Sequence, residues 1–337
     1  MKEIRDNARK LMGNQCKVCA VCNGRACAGQ VPGMGGLGTG ASFRNNLSAL
    51  ENVRLNMRLI HNVVEPDTTV SILGKELALP LIAAPIGGVS FNMNEAISED
   101  DYIQSIVNGC KARSIIGCTG DGVPEWLSSA GFNAVKLADG YGIPFIKPWE
   151  DEEFFQKIEL AKATGTDTIG MDIDAAGLIT LRKMGRPVSP KPLAELTDII
   201  KKIGMKFILK GVMTADEAEL ACKAGADAIV VSNHGGRVLD HAPGTAEVLP
   251  AIAERVKGKI TILADGGIRT GNDVLKMLAL GADAVMIGRP FSVAAVGGLQ
   301  DGVESYIDSI HSELKQAMVL TGTGKASAVD SKILFNG

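Results

Sequence analysis

Neither sign of charge prevails in this 337-residue chain: 35 Lys and Arg stand against 38 Asp and Glu, a formal net charge of −3. That balance excludes nucleic acid or an anionic membrane surface as the main partner. Unbroken apolar runs are also missing. The longest uncharged stretch, residues 77–94, approaches the roughly 18 residues of a membrane helix, but Pro80, Pro85, Gly87 and Gly88 interrupt it. It reads as a buried strand with its loop. Residues 1–12 (MKEIRDNARKLM) mix charges and lack the apolar centre of a secretion signal, so the expected location is the cytoplasm. Aromatic residues are only 4% of the chain. Against these absences, 46% hydrophobic and 22% charged residues supply a sizeable core and exclude a disordered chain. Seven Cys without a secretion signal point to metal, redox or plain burial rather than disulfides. The length alone does not choose between two domains and one α/β barrel.

From about residue 80 onward, short apolar runs, Gly-, Asp- or Asn-bearing turns and helix-period segments alternate. Candidate strands fall at 81–84, 114–118, 144–147, 168–174, 206–212, 228–233, 261–266 and 284–288. Nearly continuous apolar runs suit strands buried on both faces, and eight of them with intervening helices predict a (β/α)8 TIM barrel. The clearest helices are 152–163, 215–224, 245–256 and 272–280, several stopped by Gly, and a further one is expected at 49–59. This predicts an N-terminal Cys- and Gly-rich extension over 1–75 packing on a barrel over 76–337. A basic loop, 177–192, follows the fourth strand, at the end where a barrel carries its chemistry.

The densest chemistry is SNHGGRVLD, residues 232–240, after the strand ending in Val231. His234 can act as a general base near neutral pH, Arg237 can grip a carboxylate with two parallel hydrogen bonds, and the glycines let backbone approach a flat ligand. One strand later comes ADGGIR, residues 264–269, and then Gly288 and Arg289. Glycine turns with two arginines after the seventh and eighth strands make the usual phosphate grip of a barrel. Lys210 closes the apolar run ILK, where a fixed positive charge can stabilise a reduced, anionic cofactor ring.

These residues resemble the FMN-dependent α-hydroxy-acid oxidases and dehydrogenases, the group of glycolate oxidase, lactate oxidase and flavocytochrome lactate dehydrogenases. The likeness is dense from Phe207 to about Gly322 and looser from Gly38 to Asp174. The resemblance implies a catalytic base at His234, oriented by Asp174, a carboxylate ligand at Arg237 and flavin-ring contacts at Lys210 and Ser232. It implies a ribityl and phosphate grip of Asp265, Gly266, Gly267, Arg269, Gly288 and Arg289. Pro85, Ile86 and Gly87 match the family's Pro-Thr-Ala flavin contact. The reaction implied is oxidation of a small α-hydroxy acid, lactate- or glycolate-like, to the 2-oxo acid, in a homotetramer.

The departures concern the substrate. Gly36 stands where the family has its first substrate tyrosine, Lys147 where it has the second, and Asp172 where it has a threonine. Arg182 or Arg186 in the basic loop are candidates for the second substrate arginine. Two other readings share the FMN barrel: an isomerase of the type 2 isopentenyl diphosphate kind, against which the His234 and Arg237 pair argues, and a flavin-binding or redox-sensing protein without turnover.

Residues 16–27 read CKVCAVCNGRAC, so Cys16, Cys19, Cys22 and Cys27 follow C-x2-C-x2-C-x4-C. Thiolates this dense are expected to hold an iron–sulfur cluster or tetrahedral zinc, or else to form a reduced, redox-sensitive segment. A cluster would give electrons a route to a protein acceptor. Cys110, Cys118 and Cys222 read as small buried apolar residues. Trp149 either roofs the pocket or packs beneath it.

Overall fold

A computed structural model describes residues 1–13, 15–30, 34–186 and 188–335; Pro187 of the basic loop lies outside them. Eight parallel strands close into a barrel: β1 (Leu81–Ile86), β2 (Ile116–Thr119), β3 (Ile143–Ile146), β4 (Thr168–Asp172), β5 (Lys206–Val212), β6 (Ala228–Val231), β7 (Thr261–Ala264) and β8 (Ala284–Ile287). Closure comes from β8 pairing with β1, with Ile287 opposite Ala83. Every residue of β2, β3, β4, β6 and β8 is buried, as strands covered on both faces require. The barrel interior is filled by such side chains as Ile82, Phe145 and Ile208, each no more than 1% exposed, while Met171 and Phe207, on the alternate face of their strands, are buried under the helices.

All eight predicted strands are present, but several end two residues earlier than the apolar runs suggest. Beyond Asp172 the chain turns into a short 3₁₀ segment, Ile173–Gly177, and beyond Val231 into another, His234–Gly236. The polar residues at these ends leave the strand ladder and point their side chains across the barrel mouth.

The expected helix at 49–59 lies earlier, over Ala41–Asn52. Residues beyond Val53 are held extended by the C-terminal segment: the Asn56 amide donates to the Ile333 carbonyl (2.7 Å) and the Arg58 amide to the Leu320 carbonyl (2.8 Å). Local periodicity gives way here to a tertiary pairing. Helices beyond those expected include Lys2–Leu11, Glu99–Ala112, Glu125–Leu137, Leu193–Ile203 and Arg289–Thr321. Lys2–Leu11 sits on the long helix Arg289–Thr321, which is broken at Gly298 and Leu299. Asn7 Nδ2 donates to the Gly297 carbonyl (2.8 Å), and a Cβ at Gly297 would lie 2.9 Å from the Ile4 carbonyl carbon. Among the described residues no helix is long and apolar enough to cross a membrane.

Candidate active site

The barrel mouth places one histidine, one lysine and two aspartates from β4, β5 and the β6 turn together. Parallel register sets Asp172 opposite Lys210, and Lys210 Nζ lies 3.2 Å from Asp172 Oδ1. The ladder between β5 and β6 shifts after Lys210, at Gly211, whose φ is 111°. A Cβ there would lie 2.6 Å from the Asp174 Cβ, so glycine is what lets Asp174 close on the site. Asp174 Oδ1 accepts from His234 Nδ1 at 2.9 Å. His234 itself has φ 55°, a left-handed conformation uncommon outside glycine. The turn that imposes it is held by Asn233, whose side-chain oxygen accepts from the Gly236 amide (3.2 Å).

Electrostatics set the protonation states. Burial holds the His234 imidazole below its ordinary value, with Asp174 pulling the other way. The ring is therefore neutral near pH 7, and because Nδ1–H donates to Asp174, the lone pair sits on Nε2. Burial works against the Lys210 ammonium, but Asp172, Asp174 and Asp265 outweigh it and hold its pKa above the usual lysine range. Burial disfavours the Asp172 carboxylate as well, yet the Lys210 ammonium, with Lys147 behind it, holds it below the usual range.

The β7 and β8 ends have a different character. Ser232 Oγ donates to Asp265 Oδ2 (2.9 Å), while the buried Oδ1 of the same carboxylate has no partner among the described residues. Gly266 and Gly267 have φ 93° and 83°, and a Cβ on either would come within 2.8 Å of Asn46. Arg269 Nη1 donates to the Ile268 carbonyl (2.9 Å), but its buried Nε also lacks a partner among the described residues. Arg289 Nη2 donates to the Gly235 carbonyl (3.0 Å), and its guanidinium lies 4.8 Å from the Phe43 ring centroid. Burial, followed by the like charges of Arg269 and Arg237, pushes the Arg289 guanidinium down to about 10.

One cleft runs between these ends. Pro85, Ile86 and Gly87 line it from β1, Lys210, His234 and Arg237 from the middle, and Asp265, Gly266, Gly267, Arg269, Gly288 and Arg289 from β7 and β8. Ser232 and Asp174 stand one layer behind, bonded to Asp265 and His234. The donor set fits FMN. A buried carboxylate oxygen without a partner awaits a ribityl hydroxyl, and clustered arginines with a spare buried N–H await a phosphate.

Two sequence candidates are not among the residues that line the cleft. Lys147 is buried, but its Nζ donates to the Asp121 backbone carbonyl (2.6 Å) and the side chain does not line the cleft. Arg182 is exposed on the short helix Ile179–Lys183, also away from the lining. Trp149 packs beneath: it is 3% exposed, and its Nε1 donates to Asp121 Oδ2 (2.6 Å). Asp121, which also binds Lys157 Nζ (2.5 Å), had no sequence signal. Neither did Asn46, which exchanges two amide hydrogen bonds with Asn233 (2.8 and 3.1 Å) and anchors the extension to the site. At the first tyrosine position, Gly36 has φ 94° and a Cβ would lie 2.9 Å from the Phe43 Cβ, so no side chain is accommodated without a shift.

Comparison with known proteins agrees with this geometry. Residues 33–186 and 182–336 match the model of the FMN-dependent dehydrogenase family. An L-lactate oxidase of Lactobacillus jensenii is 31% identical, the match covering 83% of this chain and 74% of that protein. An L-lactate dehydrogenase of Ectopseudomonas mendocina (strain ymp) is 30% identical, over 87% of this chain and 90% of that one. A solved mandelate oxidase variant with 2-hydroxy-phenylacetamide superposes with a TM-score of 0.78 at 26% identity, covering 99% and 97% of the two chains. Another, with a C4a-OH-FMN adduct, has a TM-score of 0.77 and 26% identity over 98% of each. The cleft built for a flavin phosphate at one end and a buried His–Asp pair at the other thus belongs to a member of the FMN-dependent dehydrogenase family, an FMN-using oxidoreductase.

Proposed function

We propose that this enzyme oxidises a small α-hydroxy acid, lactate- or glycolate-like, to the 2-oxo acid. The observation that carries the reading is the His234–Asp174 pair, 2.9 Å apart, beside Arg237 in the flavin cleft. Arg237 grips the substrate carboxylate. Neutral His234 takes a proton at Nε2, and Asp174 stabilises the imidazolium that results. Lys210, kept charged by its aspartates, sets a positive field on the cleft wall. FMN, when bound, accepts the electron pair. Pro85, Ile86, Gly87 and Lys210 would surround its ring, with Ser232 supporting Asp265 from behind, while Asp265, Gly266, Gly267, Arg269, Gly288 and Arg289 would hold the ribityl chain and phosphate. Both tyrosine positions lack tyrosine, so the substrate hydroxyl relies on His234 more than on phenolic contacts. The isomerase reading gains nothing from relatives described as lactate oxidases and dehydrogenases.

The same reading includes a cytoplasmic homotetramer, an extension over 1–75 on a barrel over 76–337, and a metal group on Cys16, Cys19, Cys22 and Cys27 that serves a protein electron acceptor. The test of the catalytic reading is anaerobic titration of the yellow protein with 2-hydroxy acids. Bleaching of the flavin by lactate or glycolate supports it, and a flavin that no small 2-hydroxy acid bleaches refutes it.

A further inference from the structure

Cys16, Cys19, Cys22 and Cys27 come together around one cavity of about 120 Å³, where a single water needs roughly 10–15 Å³. None is in a disulfide and all are half-buried. The rest of the wall combines apolar side chains such as Met34 and Val293 with the cations Arg5, Arg269 and Arg289. The cysteine segment is a built loop. Arg5 and Arg9 of the helix Lys2–Leu11 donate to the carbonyls of Cys19 (2.6 Å) and Val18 (2.9 Å). Gly24 turns at φ 76° against the Phe43 ring, and a Cβ on Gly35 would strike the backbone of Gly24, Cys27 and Ala28.

We propose that this cavity seats an iron–sulfur cluster ligated by the four cysteines, a proposal that deepens the metal reading above by choosing cluster over zinc. A single tetrahedral zinc with bonds of about 2.3 Å draws its sulfurs to roughly 3.8 Å from one another. Among the described residues, the one trio of His, Cys, Asp or Glu ligand atoms within 4.8 Å of each other is Asp172, Asp174 and His234; no three of these sulfurs meet that limit. Thiolates spread around a cavity suit a polynuclear centre, and the C-x2-C-x2-C start of the spacing is that of bacterial ferredoxin ligands. The arginines in the wall offset the negative charge of a thiolate-ligated cluster.

Location gives the cluster its use. Met34, Arg269 and Arg289 wall both this cavity and the flavin cleft, so the two sites are one side chain apart. Oxidation of a hydroxy acid to the oxo acid releases two electrons and two protons. A cluster carries one electron at a time, so it cycles twice per turnover. It delivers both electrons singly to a one-electron acceptor protein of potential above that of the 2-oxo acid/2-hydroxy acid couple, and the protons leave to solvent.

The deciding experiment is iron, zinc and acid-labile sulfide analysis of the anaerobically purified full-length protein, with low-temperature electron paramagnetic resonance after dithionite reduction. About four iron and four sulfide per chain with a reduced-cluster signal are expected. Cys22→Ser should drop iron and sulfide below one per chain and lose the signal, while keeping FMN and its anaerobic bleaching by the hydroxy acid. Cys222→Ser, outside the cavity, should change neither. Should Cys22→Ser not fold, the wild-type stoichiometry and Cys27→Ser decide in the same way. One zinc per chain without sulfide, or no metal in protein that still binds FMN, overturns the cluster. Bleaching without iron refutes the cluster alone, and iron without bleaching refutes the hydroxy-acid reading alone.

Discussion

At the β4–β6 end of the cleft opposite charges face one another, Lys210 beside Asp172 and His234 on Asp174, although Asp172 Oδ1 and Asp174 Oδ2 are buried without hydrogen-bond partners among the described residues. At the β7–β8 end, the strongest charged neighbours of Arg289 are two more arginines, and Arg269 Nε and Asp265 Oδ1 are buried without hydrogen-bond partners among the described residues. The difference teaches what each end is for. Charges balanced within the protein set protonation states before substrate arrives. Like charges held together and buried polar atoms left unsatisfied are a standing cost that an anionic ligand removes on binding. Chemistry and retention of the cofactor are therefore separable by mutation.

The largest effect that would sharpen this contrast is His234→Ala. Anaerobic flavin reduction should slow by ~10²–10⁴-fold in stopped-flow absorbance, while FMN content stays at the wild-type level. Loss of FMN instead would erase the distinction between the ends. Asp174→Asn comes next, at about 10²-fold slower reduction, the lower part of what a positioned acid–base group contributes. Because Asp174 raises the His234 pKa, the acid limb of the rate profile should also move to lower pH. At the other end, Arg269→Ala should weaken FMN binding by ~1.5–3 kcal/mol, roughly 10–10²-fold in Kd. Fluorescence titration of the apoprotein measures this, and reduction by substrate at saturating FMN should stay near wild type.

Asn46→Ala tests the support beneath both ends. It strips Asn233 of its buried amide partner and the Thr245 amide of its acceptor, and should cost ~1–3 kcal/mol in denaturant unfolding. The smallest effect is the pH dependence of the wild type. Burial lowers the His234 pKa, so the neutral base persists below the ordinary histidine value of about 6.5. Flavin reduction should be flat above that pH and fall only below it. The same shift makes stability drop as pH falls below about 6.5, because the unfolded chain protonates its histidine first. An acid limb centred above 6.5 would place His234 in a different electrostatic setting.

Much of the catalytic end was legible because its residues sit where a local pattern changes. His234 and Arg237 follow an apolar strand directly, and Lys210 ends another, so the switch from buried run to polar cluster marks them. Asp121 and Asn46 were not legible. Asp121 acts through Lys147, Trp149 and Lys157, and Asn46 through Asn233 at a separation of 187 residues. No periodicity encodes a partner that distant. The helix expected at 49–59 failed for the same reason, since backbone bonds to Ile333 and Leu320 hold the chain after Val53 extended.

By itself the sequence pointed to the barrel, because apolar runs alternating with helices bury both faces as a parallel sheet under helices, and eight such units are the number that closes a (β/α)8 barrel. It also singled out His234, Arg237, Arg269 and Arg289 as candidates from polar clusters and glycine turns at strand ends, and the fold brings all four to one cleft. Only the tertiary structure decided that the Lys147 ammonium is tied to the Asp121 carbonyl behind the cleft wall, that Gly36 leaves no room for a side chain, and that Arg269 and Arg289 wall both the flavin cleft and the cysteine cavity. The physical reason is that burial and charge pairing between distant segments are set by packing, which a linear pattern of residue types does not record.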